Sequence, residues 1–290
     1  MMIPQHLIDL ATTYLTERTA QPITLNADVL VYRWVGGKNG TLAPVDVSHS
    51  VSFDDLLGID TQKERLITNT RQFIARLPAN HVLMTGTRGA GKSSLIRALL
   101  ATFANDGLRI IEMARDDLQY LSRVRHAIKQ ANNNCRYIIY CDDLAFNAQD
   151  ENYRTLKSIL DGATDSEQAN LLIYATSNRR HLLPQLMKDN VNIYNGQTDE
   201  VNPYETIDES VSLSDRFGIW LSFHPMSQSV YLDIVAHHLG KHGVVYDDTV
   251  QTKALQWAGT RGGRSGRVAY QFSQDWVGQT QLNAKHQLTQ

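Results

Sequence analysis

The sequence predicts a three-layer α/β domain built on a mostly parallel sheet, and three observations predict it. Short apolar runs at 81–85, 108–113, 137–141, 171–176 and 219–223 alternate with helical stretches, the order that feeds strand after strand into one parallel sheet. The runs HVLMT, YIIYC and LLIYA are nearly unbroken in apolar residues, as strands covered on both faces require. The first run also leads straight into a glycine-rich segment and then into the helical stretch SSLIRALLATF.

Size and composition agree with a packed domain. With 290 residues, 42% apolar and 20% charged, the chain has enough material for one large domain or two and lacks the bias of a disordered or fibrous sequence. A formal net charge of -2 lends nucleic-acid binding no support, and leaves a local basic patch as its route. Cys135 and Cys141 are too few for a disulfide framework, and Cys141 in its apolar run reads as a buried thiol. No apolar run approaches the ~18 residues of a membrane span. The opening MMIPQHLIDLATTYL lacks the features of a signal peptide, so the cytoplasm is the expected compartment.

In chain order, residues 5–18 carry apolar side chains at helical spacing, and 28–35 (DVLVYRWV) reads as a strand. Gly36, Gly37, Gly40 and Pro44 then mark a loop or linker, followed by a helical pattern over 61–77. Between 188 and 205 the polar, irregular KDNVNIYNGQTDEVNPYE reads as a surface loop, either a contact site or a mobile insertion. After 223 helical patterns near 227–241, 248–259 and 265–282 suggest an all-helical lid. The expected division is a short N-terminal extension over 1–49, an α/β domain over 50–225 and a helical lid over 226–290.

The chemistry is concentrated in Gly86-Thr87-Arg88-Gly89-Ala90-Gly91-Lys92-Ser93, which fits G-x-x-x-x-G-K-[ST] and has the required strand before it and helix after it. Glycines let backbone N–H groups turn inward around phosphates, and the helix N-terminus adds partial positive charge. Lys92 is positioned to reach the β- and γ-phosphates of ATP, Ser93 offers a hydroxyl to Mg2+, and Ser94 continues the nucleotide-binding run. YIIYCDD supplies acids at a strand's C-terminal end, where open α/β sheets bind ligands. Asp142 is expected on the metal, and Asp143 is in position to orient the attacking water or to cap the next helix. ATSN ends the fourth run with Asn178, an amide able to touch water and γ-phosphate or simply to form a turn. Arg179, Arg180 and His181 read either as a phosphate- or partner-reading group or as a solvated face. Arg216, held by Ser214 and Asp215, is a candidate for stabilising transition-state charge in a neighbouring subunit. Arg264 or Arg267, in RGGRSGR, is a candidate for reaching back to the γ-phosphate; a basic nucleic-acid loop is the other reading.

Taken in order, Gly58-Ile59-Asp60, the P-loop, CDDLAF, YATSNRRHLLP, SLSDRFGIWLSF and RGGRSGRVAYQF resemble the AAA+ ATPases. More narrowly, residues 28–280 look like a bacterial AAA+ family known as a predicted ATP-binding domain of unknown function. The resemblance implies strand order 5-1-4-3-2 with a helical lid behind it. It also implies Leu57, Gly58 and Ile59 near the adenine, Asn178 as first sensor, Arg216 as arginine finger in a homo-oligomer, and Arg267, in preference to Arg264, as second sensor. Asp143 departs from the glutamate common at its position, which bears on turnover more than on binding. The expected activity is Mg2+-dependent ATP hydrolysis acting on an unknown protein partner. An ATP-gated switch resembling a helicase loader is the alternative, and a P-loop kinase fits the arginine motifs less well. No N-K-x-D segment supports a GTPase.

Overall fold

In a computed structural model, residues 22–47, 51–131, 133–146, 151–161, 170–178 and 216–287 are described. The apolar runs form β3 (Val82–Gly86), β4 (Leu108–Glu112), β5 (Arg136–Cys141), β6 (Leu171–Ser177) and β7 (Ile219–Phe223). Strand β5 is buried along its whole length, and only Gly86 of β3 escapes full burial, as sequences without alternation demand. Helices α1 (Asp60–Ile74), α2 (Lys92–Phe103), α3 (Leu121–Gln130) and α4 (Glu151–Asp161) belong to the same layered unit.

Two further strands, β1 (Val31–Val35) and β2 (Thr41–Pro44), give the sheet seven strands in the order β2-β1-β4-β5-β6-β3-β7. Counted from β3, the five core strands run 5-1-4-3-2 when read inward from β7, the arrangement expected of an AAA+ fold. The additions lie at the far edge: β1 pairs parallel with β4, and β2 pairs antiparallel with β1. The glycine-rich stretch expected as a loop or linker is therefore a hairpin turn followed by a strand. Gly36 and Gly37 take φ of 92° and 58° to make the turn, and Leu42 anchors β2 by burial.

One apolar cluster covers each face of the sheet. Ile111, Ile139, Ile173 and Trp34 belong to the first, while Met84, Leu95, Leu99, Ile138 and Tyr174 belong to the second, beneath α2. Hydrogen bonds between polar groups buried there tie α1 to the sheet. Asn69 donates to the Tyr174 hydroxyl at 2.9 Å, and Thr70 lies at 2.9 Å from the same oxygen. Cys135 and Cys141 are both free and buried, and burial pushes the Cys141 thiol up to about 12.

Helices α5 (Gln228–Gly240), α6 (Asp248–Thr260) and α7 (Gly266–Gln287) pack around their own core of Tyr231, Val235, Leu239, Ala254 and Phe272. A polar clasp joins them to the sheet domain, in which Asp55 meets His237 at 2.9 Å and also bonds Lys241. Burial alone would raise the Asp55 carboxyl, yet the hydrogen bonds from Lys241 and His237 outweigh it and hold the group at about 2. Among the described residues no helix is long and apolar enough to cross a membrane. The helical spacing at 5–18, Arg179, Arg180, His181, the 188–205 segment, Ser214 and Asp215 lie outside the described residues.

Candidate functional site

The site is assembled where β3, β5 and β6 end on the same side of the sheet. Strand β3 lies between β6 and β7, with Thr85 opposite Ser177 and Gly86 opposite Phe223. Thr87 N–H then donates to the Phe223 carbonyl at 3.2 Å, which pins the first residue of the loop to β7. Gly86, Gly89 and Gly91 have φ of 131°, 73° and 96°, and the loop enters α2 at Lys92.

Lys92 is 6% exposed. Its ammonium donates to the Gly86 carbonyl at 2.8 Å, the Thr87 carbonyl at 2.9 Å and Asn178 Oδ1 at 3.2 Å. Burial lowers its pKa, and the charges of Asp142 and Asp143 oppose that shift. In the first turn of α2, Ser93 Oγ donates to Asp142 at 3.2 Å and 3.4 Å from the two carboxylate oxygens. The P-loop helix and the end of β5 are thus joined through the two side chains expected at a metal.

The pairing of Cys141 with Ala175 sets Asp142 beside Thr176. The Thr176 hydroxyl donates to Asp142 Oδ1 at 2.5 Å and accepts from the Asp143 N–H at 2.9 Å. Asp143 itself has φ of 53°, a left-handed conformation that aspartate tolerates better than most side chains. There its carboxylate accepts from Asn178 Nδ2 at 2.6 Å and meets Arg88 at 3.5 Å. Asn178 therefore bridges Lys92 and Asp143. Thr176 is absent from the residues that motif spacing selects; its signal is one of the hydroxyls at the end of LLIYATS, at a position that only the strand register places beside Asp142.

Tyr140 is a second residue that motif reading passes over. It is 8% exposed, and its buried hydroxyl has no hydrogen-bond partner among the described residues. Burial first, then the neighbouring Asp142 charge, push the phenol well above its ordinary range against the opposing effect of Ser93, so it stays a proton donor.

The Leu57, Gly58 and Ile59 segment lies between the P-loop and helices α5 to α7. Leu57 packs against the core of those helices, Ile59 belongs to the core under α2, and the Ile59 side chain approaches the Gly91 Cβ position to 3.3 Å. Gly58, with φ of 73°, leaves no room for a side chain, since a Cβ there would stand 2.5 Å from Val230 on α5. Gly89 is comparably close to α7. Its Cβ position falls 2.8 Å from Ser265 Oγ and 3.4 Å from Arg267 Cβ, and its carbonyl accepts from Gly266 N–H at 3.0 Å. Beside this contact lies a cavity of about 720 Å³ whose walls include Arg88, Arg261, Arg264 and Arg267. Its lining does not include Lys92, Ser93, Asp142 or Asn178, so it flanks the phosphate loop instead of enclosing the lysine.

Arg216 is not brought to this group. It precedes β7, whose parallel register with β3 puts Ile219 opposite Val82 and sends the P-loop out at the other end. A five-residue strand spans roughly 17 Å, which separates Arg216 from the phosphate loop of its own chain.

Among the described residues no group of three or more His, Cys, Asp or Glu side chains could hold a metal. One hydroxyl and one carboxylate, Ser93 and Asp142, are a donor set that suits magnesium, which is commonly held by one or two carboxylates together with substrate phosphates.

The ATP-dependent zinc metalloprotease FtsH 3 of Symbiobacterium thermophilum is 30% identical over 180 residues, which cover 52% of this chain and 28% of the relative. The chain therefore spans little more than a quarter of that relative's length. Among solved structures, the Thermotoga maritima RuvB Holliday junction branch migration motor superposes with a TM-score of 0.47 at 14% identity, covering 77% of this chain and 63% of that one. A threonine-to-valine variant of the same motor superposes with a TM-score of 0.49 at the same identity and coverage. The family described as "Protein of unknown function (DUF815)" matches residues 27–280, nearly the whole described length, and the chain belongs to it.

Proposed function

We propose that this chain is a magnesium-dependent ATPase of the AAA+ type that converts ATP hydrolysis into movement of its helical lid, residues 226–290, against residues 50–225. The observation that carries the reading is the 3.2 Å hydrogen bond between Ser93 and Asp142, which joins the P-loop helix to the acidic end of β5. Those two side chains would hold magnesium, which when bound neutralises charge on the phosphates and helps to orient them. Lys92 exchanges its loop carbonyls for phosphate oxygens. Asp143, oriented by Asn178 and the Thr176 hydroxyl, aligns the attacking water and draws on its proton. Leu57, Gly58 and Ile59 receive the adenine against α5, and Gly86 to Ser94 surround the phosphates. Arg267 reaches the nucleotide from the lid. The separation of Arg216 from its own P-loop supports its action on a neighbouring subunit, hence a homo-oligomer. The 30%-identical relative is described as ATP-dependent, which is the same nucleotide.

Lys92→Ala tests the assignment. ATP binding, followed by calorimetry, should be lost while the far-UV circular dichroism stays as in the parent. Parent-like affinity would overturn the P-loop reading.

A second reading, an ATP-gated switch with negligible turnover, is favoured by one observation. The catalytic acid is an aspartate, one methylene shorter than glutamate, and Asn178 and Arg88 already engage its carboxylate. Phosphate release measured with and without single-stranded DNA separates the two. Steady turnover supports the ATPase, whereas saturable ATP binding without release supports the switch.

A further inference from the structure

We propose that Tyr140 is a positioning residue for the metal side of the site, a buried donor held in reserve for the Ser93–Asp142 pair when it closes on a cation. The inference rests on the magnesium reading of that pair. Residues two apart on a strand share a face, so Tyr140 stands one step behind Asp142 on the side covered by α2. Helix α2 carries Ser93 in its first turn, and Tyr140 belongs to the core cluster beneath it with Met84, Leu95 and Ile138. Those three neighbours are apolar, and phenylalanine would fill the same space.

The hydroxyl is nevertheless present, buried and without a partner among the described residues. Leaving a buried donor unsatisfied costs stability, so such a group calls for a state in which it is used. Ser93, Asp142 and Thr176 stand close enough to act on the phenol, but none makes a hydrogen bond of normal distance and angle with it. Thr176 and Ser93 both donate to Asp142 Oδ1, while Oδ2 receives the long 3.4 Å contact from Ser93. Tyr140 is therefore the donor at hand for the less satisfied side of the carboxylate. A hydrogen bond from it would fix the carboxylate plane and keep the other lone pairs directed at the cation.

Tyr140→Phe deletes the hydroxyl and little else. The affinity of a fluorescent, non-hydrolysable ATP analogue is measured in magnesium and in excess EDTA, alongside the melting temperature of the nucleotide-free protein. In magnesium the variant should bind about tenfold more weakly, the lower range for loss of a ligand-orienting partner. In EDTA the two proteins should bind alike, and the melting temperature of the free variant should be equal or higher. Unchanged affinity in magnesium, equal weakening in both conditions, or a lower melting temperature would each overturn the role. If the parent's own affinity does not respond to magnesium, the metal reading falls and Tyr140 with it. If the parent responds and the variant matches it, only the Tyr140 inference fails.

Discussion

Asp143 and His81 show how single side chains are committed by their surroundings. Asp143 sits at φ of 53°, anchored through its own N–H to Thr176, with its carboxylate between Asn178 and Arg88. Asparagine is the replacement that this backbone tolerates best, and it keeps an acceptor for the Asn178 amide while removing the charge. Asp143→Asn should therefore retain ATP affinity and lower the steady rate of phosphate release by ~10²-fold, the lower range for loss of a general base. A parent-like rate would reduce Asp143 to a structural cap. His81 accepts the Ile173 N–H on Nδ1 at 2.9 Å, which requires the neutral ring with its proton on Nε2. Burial first, then the charge of Arg125, lower its pKa from 6.5 to about 4. The unfolded chain thus takes up a proton as pH drops below 6.5 and the folded chain resists until about 4. His81 accordingly favours the folded state in full above 6.5, and its contribution is lost as pH falls towards 4, on the order of 3 kcal/mol in all. Urea unfolding at about pH 7.5 and about pH 4.5 should show this loss in the parent and a smaller one in His81→Asn, which keeps an acceptor but has no proton to gain. Equal losses would show that other groups carry the pH dependence.

At the scale of elements, the P-loop and the start of α7 meet directly. Gly266 N–H bonds the Gly89 carbonyl, and Ser265 caps α7 by accepting the Val268 N–H at 3.2 Å. Proline is well accepted at the first position of a helix, and the residue before it, as a helix cap, suits the extended backbone that proline imposes. Gly266→Pro should therefore keep the helix, delete the donor and push the Gly89 carbonyl away, since even a Cβ at 266 would stand 3.2 Å from that oxygen. The expected result is unchanged far-UV circular dichroism with about fivefold faster nucleotide association, corresponding to a bond of ~1 kcal/mol. An unchanged rate would mean that this contact does not restrain the loop. The same scale explains what the sequence makes legible. Strands β3 to β7 and the helices after 223 announce themselves because buried strands and amphipathic helices have periodicities that composition cannot disguise. Strand β2 does not, since four residues behind a glycine-rich turn carry too little pattern. P-loop, acids and Asn178 follow motif spacing, whereas Thr176 and Tyr140 are polar atoms inside apolar runs, and their relation to Asp142 exists only through strand register and the shared face under α2.

For the molecule as a whole, the proposed action of Arg216 on a neighbouring subunit would tie activity to assembly. An arginine supplied to another subunit's phosphates is worth roughly 10³ to 10⁵ in rate in other P-loop enzymes, on the order of what should vanish on its removal. Turnover per subunit should rise with protein concentration, and Arg216→Ala should abolish the rise without weakening ATP binding. Lys92→Ala subunits retain the arginine and Arg216→Ala subunits retain the pocket, so mixing the two inactive proteins should restore part of the activity. Turnover independent of concentration in a strict monomer, or no recovery from mixtures shown to co-assemble, would remove the finger role.

The position of β3 between β6 and β7 also has a consequence for how the chain acquires its site. Both of its partners come later in the sequence than β4 and β5, so a growing chain holds the phosphate loop long before it holds the strands that flank it. The Phe223 carbonyl that pins Thr87 arrives more than a hundred residues after the loop itself. Pairings of such long sequence separation form slowly, because the intervening chain must be ordered before they return any stabilisation. The nucleotide cradle is accordingly among the last parts of the sheet domain to be completed during synthesis. A truncated chain ending before β7 would carry the whole glycine-rich motif with no strand on its outer edge to shape it.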